Sequence, residues 1–382
     1  MKRMALLCAV LLMSIGDDIS AQVISTSGAV SINNTSGTVI VTNIVENNSG
    51  STLDNGGTIT TADLTNAGTL QGNGTYGISG AFTSSGTFTI GTSTVDFNGS
   101  GAQSIPGISF YNLTSSSSGT RTLPNGGTIG IAGAFTPGAN SFTVTNSTVN
   151  FNGGAAQAIP AFNYNNLTSS STGARTLANS GTIGVAGTFT KGTNSYTVTG
   201  STVDYNSSSS QTITSFTYNN LTLTSGVAVT KVLGGAVTVN GNLTVNANNS
   251  LNDAGFQITG NAGGTLSLAA GTTLTLGTVG TATTFPTAFI NANITLNSTS
   301  TVVYNSDLAQ TISAVPTYGN LTLTATSSVT KTISSAATVA TDLTVGTNNI
   351  LTITGAGSVQ INTGNLILNG SLDNSGTIDI GL

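Results

Sequence analysis

Ser93-Thr94-Val95-Asp96-Phe97-Asn98 sets a cadence that returns, at the same interval each time, as Ser147-Thr148-Val149-Asn150-Phe151-Asn152 and Ser201-Thr202-Val203-Asp204-Tyr205-Asn206. A fourth copy, Ser300-Thr301-Val302-Val303-Tyr304-Asn305, follows after a longer interval. Ten positions after its serine, each copy carries a glutamine: Gln103, Gln157, Gln211 or Gln310. An aromatic-x-Asn-Leu-Thr stretch comes next, with its leucine at Leu113, Leu167, Leu221 or Leu321. Within this long repeat runs a shorter one. Val95, Leu113, Ile131, Val149, Leu167, Val185, Val203, Leu221 and Val239 follow one another at a single fixed spacing, a third of the long repeat. Self-similarity at a short period is the mark of a solenoid, in which each coil buries its apolar face only by stacking on its neighbours.

The reading is therefore an all-β, single-chain parallel β-solenoid, a right-handed β-helix of about 18 residues per coil. At the ~4.8 Å spacing of neighbouring strands, about 20 coils make a rod on the order of 95 Å long. Between corners the residues alternate, as in Asn220-Leu221-Thr222-Leu223, which is strand behaviour. Corners read as Leu-x-Asn-x-Gly-Thr, from Leu53 and Leu64 to Leu372. Asn and Gly tolerate the left-handed backbone such corners need, and asparagines stacked in register form amide ladders. Copies of the repeat occupy 93–146, 147–200 and 201–254, register is lost over about 246–299, and a further repeat starts at 300. This is one continuous solenoid over 22–382. The last residues before Leu382 resemble an interior coil rather than a polar cap, the expectation for a chain that continues.

Composition narrows the function. The 382 residues include 49 Gly, no Trp and no His, and only 5% are charged, with a net charge of −5. An acidic chain with so few cations is a poor match for phosphates, so nucleic acid is not an expected partner. Residues 1–21 read as an export signal: Lys2 and Arg3, the apolar run from Met4 to Ile15, then a cleavage site after Ala21. That run is too short to span a bilayer, so no transmembrane segment is expected in the mature chain. Cys8, the sole cysteine, is lost with the leader, which leaves no disulfide and no thiolate metal site.

Five cations remain after the leader: Arg121, Arg175, Lys191, Lys231 and Lys331. All but Lys191 fall at one equivalent place per repeat, where the expectation is a solvated turn cation that keeps rods apart, with the binding of anionic sugars as the weaker alternative.

Catalysis is poorly provided for. Without histidine there is no imidazole base, no Ser-His-Asp triad and no histidine-held metal. Calcium-binding rolls need a repeated aspartate that is missing here. Asp96 and Asp204 are equivalent positions several coils apart, too far to act as the carboxylate pair of a glycosidase. Glu46 and Asp63, separated by nearly one coil, are the remaining candidates for a polysaccharide-active site. No cofactor is called for, and the chain is not expected to be an enzyme. A binding alternative rests on Thr-x-Thr pairs, Thr143/Thr145, Thr197/Thr199 and Thr222/Thr224, whose hydroxyls would meet a carbohydrate or an ice surface. Threonine is also simply a good outward residue for a strand.

The Ser-Thr-Val-[Asp/Asn]-[Phe/Tyr]-Asn, Gln-x-Ile and [Phe/Tyr]-x-Asn-Leu-Thr stretches resemble the β-strand repeat proteins on the surface of Gram-negative bacteria. The Leu-x-Asn-x-Gly-Thr corners are similar to filamentous haemagglutinin-type adhesins. The resemblance implies a secreted, extracellular, cell-surface protein that is structural and adhesive: a rod-like spacer or multivalent surface for glycans, matrix proteins or other surface proteins.

Overall fold

The computed structural model describes residues 23–26, 28, 30–89 and 91–381; the expected export signal over 1–21 lies outside them. Among the described residues there are 51 short strands and a single 3-10 turn at Asn291–Asn293. Strand formation follows the period-two pattern: in Thr94–Phe97, Val95 and Phe97 are buried while Thr94 and Asp96 face outward.

All strand pairs are parallel, and each strand hydrogen-bonds to the third strand before it and the third after it, save where a sheet is interrupted and at one irregular turn. One circuit of the chain thus lays down three strands, and successive circuits stack into a three-walled β-solenoid of about 18 turns. Its interior is one continuous apolar core running from Val45 to Ile361. No helix among the described residues is long and apolar enough to cross a membrane.

The uniform coil expected from the sequence is corrected by the observed register. Steps of 18 occur at Val95↔Leu113, Val149↔Leu167 and Val203↔Leu221. The next steps on those walls are 22, at Leu113↔Phe135, Leu167↔Phe189 and Leu221↔Leu243. Coils average about 20 residues, because corners vary in length while strands hold their register.

The single aliphatic column read from the sequence is consequently several columns. Ile131 pairs with Phe110 and Phe151, whereas Val149 pairs with Ile129 and Leu167. All of these side chains are buried, but Leu113, Ile131 and Val149 do not stack on one another.

The long repeat contains eight strands, from Thr94–Phe97 through Phe142–Thr143 and again from Thr148–Phe151 through Tyr196–Thr197. Eight strands at three per turn are two and two-thirds turns, so each copy begins one wall away from the last. Equivalent corners keep their shape: Asn146 and Gly200 both adopt left-handed φ, 54° and 77°.

The irregular middle expected over 246–299 retains the strands Leu266–Leu268 and Thr273–Leu276, then loses one wall. Leu266 pairs with Ile294, a step well beyond the average coil, and the intervening loop buries Phe285 and Phe289. Gly260 makes room for that loop; a Cβ there would lie 2.3 Å from the Phe289 ring. Buried Asp253 accepts hydrogen bonds from the N–H groups of Gly255 and Gly277 (both 2.8 Å) and from the Thr283 hydroxyl, which closes the enlarged turn.

Candidate functional site

The repeated cations are not solvated. Arg121, Arg175, Lys231 and Lys331 are each 0% exposed, which overturns the turn-cation reading. Each lies in register on the glutamine of the coil before it: Gln103↔Arg121, Gln157↔Arg175, Gln211↔Lys231 and Gln310↔Lys331. Because the place in the repeat is inward-facing, the charge meets backbone carbonyls and a few buried side-chain oxygens. Arg121 donates through Nη2 to the carbonyls of Phe97 (2.7 Å) and Gly99 (2.9 Å), and through Nε to Ser115 Oγ (2.9 Å). Arg175 makes the same contacts with Phe151, Gly153 and Ser169.

Lys231 Nζ reaches the Ser207 carbonyl and Gln211 Oε1, both at 2.7 Å, and Lys331 reaches Ser306 and Gln310 in the same way. The glutamines finish the arrangement: Gln157 Nε2 donates to the Ile131 and Gly133 carbonyls at 2.8 Å, and its Oε1 accepts the Gly153 N–H at 2.9 Å. Turn carbonyls that point inward, away from water, thus receive charged or amide donors. Burial lowers the arginines from their ordinary value, with Asp96 partly opposing this at Arg121. It brings Lys231 and Lys331 down to about 8, against the raising effect of Asp204 and Asp307 respectively. These groups hold the shaft together and are closed to a ligand.

Amide ladders are present near the amino-terminal end, where Asn34 Nδ2 donates to Asn55 Oδ1 (2.7 Å) and Asn47 Nδ2 to Asn66 Oδ1 (2.8 Å).

The Thr-x-Thr residues lie on the surface in separate places. Thr143, Thr145, Thr197 and Thr199 are exposed, while Thr222 and Thr224 are half-buried. Thr143 pairs with Thr122 and Thr197 with Thr176, in different sheets. Thr222 instead continues through Thr244, Ser267 and Thr295. The Thr224 hydroxyl is engaged, donating to Asp204 Oδ2 at 2.7 Å. No single flat array collects all six, because each repeat starts on another wall.

Glu46 and Asp63 fall on adjacent strands but out of register: Asp63 lies opposite Ile44, and Glu46 opposite Thr65. Asp63 Oδ1 accepts the Ala81 N–H at 2.7 Å, a corner-stabilising contact. Asp96 accepts from the backbone and hydroxyl of Ser116, and it lies on a different wall from Asp204. Burial raises the Asp204 carboxyl, opposed by the Thr224 hydroxyl and Lys231.

One surface feature escaped the reading of the repeats. Where the ladder is interrupted between strands Tyr196–Thr197 and Thr217–Tyr218, two shallow hollows of about 240 Å³ each meet at Lys191. The first runs over Ala236 and Val237, beside Thr217, Thr238 and Thr259. Those threonines are consecutive register partners, and Thr259 bridges on to Thr287. An edge-to-face aromatic group underlies the interruption, with Phe216 at 4.9 Å from Tyr196 and 5.0 Å from Tyr218. The one available signal was that Lys191 alone departs from the repeated cation position.

The geometry defines the chain as a parallel β-solenoid. No family model matches it, and comparison with curated proteins and with solved structures returns no match.

Proposed function

We propose that this chain is a secreted cell-surface rod that holds a weakly binding polar surface away from the cell. The observation that carries this reading is the continuous shaft, whose corners are internally tied by the glutamine–cation pairs. Eighteen or so turns at ~4.8 Å give a length of about 85 Å, and no turn depends on a distant part of the chain. The motif resemblance to bacterial surface repeat proteins supports the same reading.

Outward Thr, Ser and Asn side chains offer many individually weak hydrogen bonds, and attachment would come from multivalency rather than from one tight site. The test is attachment of beads coated with the chain to immobilised glycans and matrix proteins. Dense coating is expected to strengthen attachment by 10²-fold or more over the free chain, on the order of avidity gains generally. Equal binding by free and clustered chain, or turnover of a polysaccharide, overturns the reading.

The column Thr217–Thr238–Thr259–Thr287 favours the carbohydrate- or ice-surface alternative over the scattered Thr-x-Thr pairs, and absence of ice shaping would remove its ice-binding form.

A further inference from the structure

We propose that the hollow beside Lys191 is a subsite for a carboxylate-bearing sugar chain, with the carboxylate at Lys191 and the sugar hydroxyls along the threonine column. This rests on the adhesive reading and assigns it a ligand class. Four of the five cations among the described residues are fully buried and spent on backbone carbonyls. Lys191 is therefore the one described cation left to meet an external anion, on a surface otherwise carrying aspartates and Glu46.

Its position is set by the corner, where the Tyr196 hydroxyl donates to the Lys191 carbonyl at 3.0 Å. From there the hollow runs across successive coils, so Thr217, Thr238 and Thr259 present hydroxyls at one strand spacing, ~4.8 Å. An extended 1,4-linked sugar chain advances by a similar distance per sugar. Ala236 puts an exposed methyl on the floor of the hollow, while the Val237 side chain points into the core beneath it.

The preceding repeat supplies an internal comparison. At the positions of Lys191, Ser215 and Thr217 it carries Pro137, Ala161 and Asn163, while Phe162 keeps the place of Phe216. The same corner therefore occurs without the cation, which separates the decoration from the scaffold that bears it.

The experiment titrates the full chain with a galacturonic acid trimer and with the uncharged galactose trimer, by calorimetry and amide NMR. The acidic trimer is expected to bind weakly and to shift amides at Thr217, Thr238 and Thr259. Lys191→Met is expected to weaken binding about tenfold, the scale of one charge-assisted hydrogen bond, and Lys191→Glu to abolish it. Both variants should melt like the parent, as the side chain lies at the surface. Equal binding of the neutral trimer, insensitivity to Lys191→Glu, or no binding of the acidic trimer overturns the subsite. Bead attachment is scored separately. If Lys191→Glu beads still attach although the trimer never binds, the subsite fails and the adhesive rod stands. If the trimer titrates at Lys191 while beads attach to nothing, the adhesive reading fails instead.

Discussion

At Arg121 the side chain meets no solvent and its guanidinium faces carbonyl oxygens of Phe97, Gly99 and Gly101 from one coil and of Thr120 from the next. Placing a charge there is costly unless each donor is used, and the glutamine one coil earlier takes the carbonyls that the arginine cannot reach. Removing either partner strands buried acceptors. Arg121→Met is expected to destabilise the chain by about 3 kcal/mol or more, and Gln157→Leu by about 2 kcal/mol, read as shifts in a denaturant midpoint.

The lysines of the later repeats give a pH signature. Burial lowers Lys231 and Lys331 from 10.5 to about 8, so between those values the unfolded chain binds more protons than the native one. Stability then rises with pH; the penalty is full below about 8 and relieved as pH climbs toward 10.5. The measurement is best kept below about 9, because tyrosines of the unfolded chain are half-ionised at about 10 and lose protons appreciably above about 9. Burial raises buried tyrosines such as Tyr164 and Tyr218, and their effect has the opposite sign. The denaturant midpoint is expected to climb between about pH 8 and 9 and to lose that climb when both lysines are methionine.

Between elements, two devices decide whether neighbouring coils fit. Where the ladder is interrupted between Phe142–Thr143 and Phe162–Tyr164, ring packing stands in for backbone pairing, with Phe162 at 5.2 Å from Phe135 and 4.9 Å from Phe142. Phe135→Ala is expected to cost about 3 kcal/mol through lost burial and the cavity left behind, and to raise amide exchange in these strands first. The second device is close backbone approach at the arginine corner. A Cβ on Gly173 would lie 1.9 Å from the Ala155 carbonyl oxygen, and backbone has nowhere to go. Gly173→Ala is expected to destabilise by about 1–3 kcal/mol, as overpacking does; a neutral result would show that the corner is looser than described.

For the whole molecule, the mismatch between repeat and winding has a measurable outcome. Because each long repeat spans eight strands, deleting 147–200 puts the strand Thr202–Tyr205 where Thr148–Phe151 stood and turns everything after it by one third of a circuit. The deletion chain is expected to fold with unchanged strand content and to be shorter by about 13 Å, two and two-thirds coils at ~4.8 Å, as read by small-angle scattering. Aggregation or lost strand content would mean that the walls are not interchangeable.

How far the sequence carried can be judged at particular residues. Strand identity at Thr94–Phe97 and the parallel stacking were legible, because alternation and repetition are local properties of the chain. Coil length was not: corners recur only with the long repeat and not every eighteen residues, so Ile131 reads as the successor of Leu113 although Phe135 takes that place. The candidate site was barely legible. Arg121 reads as a surface charge in any window of sequence, and only stacked coils show that its strand turns it inward. Lys191 became notable only once the other four cations were found buried. The sequence by itself determined that this chain winds and stacks, since each turn leaves apolar faces that only a copy of itself covers. The tertiary structure alone decided which wall each repeat faces and which charges reach solvent, because those depend on summed corner lengths that no local pattern encodes.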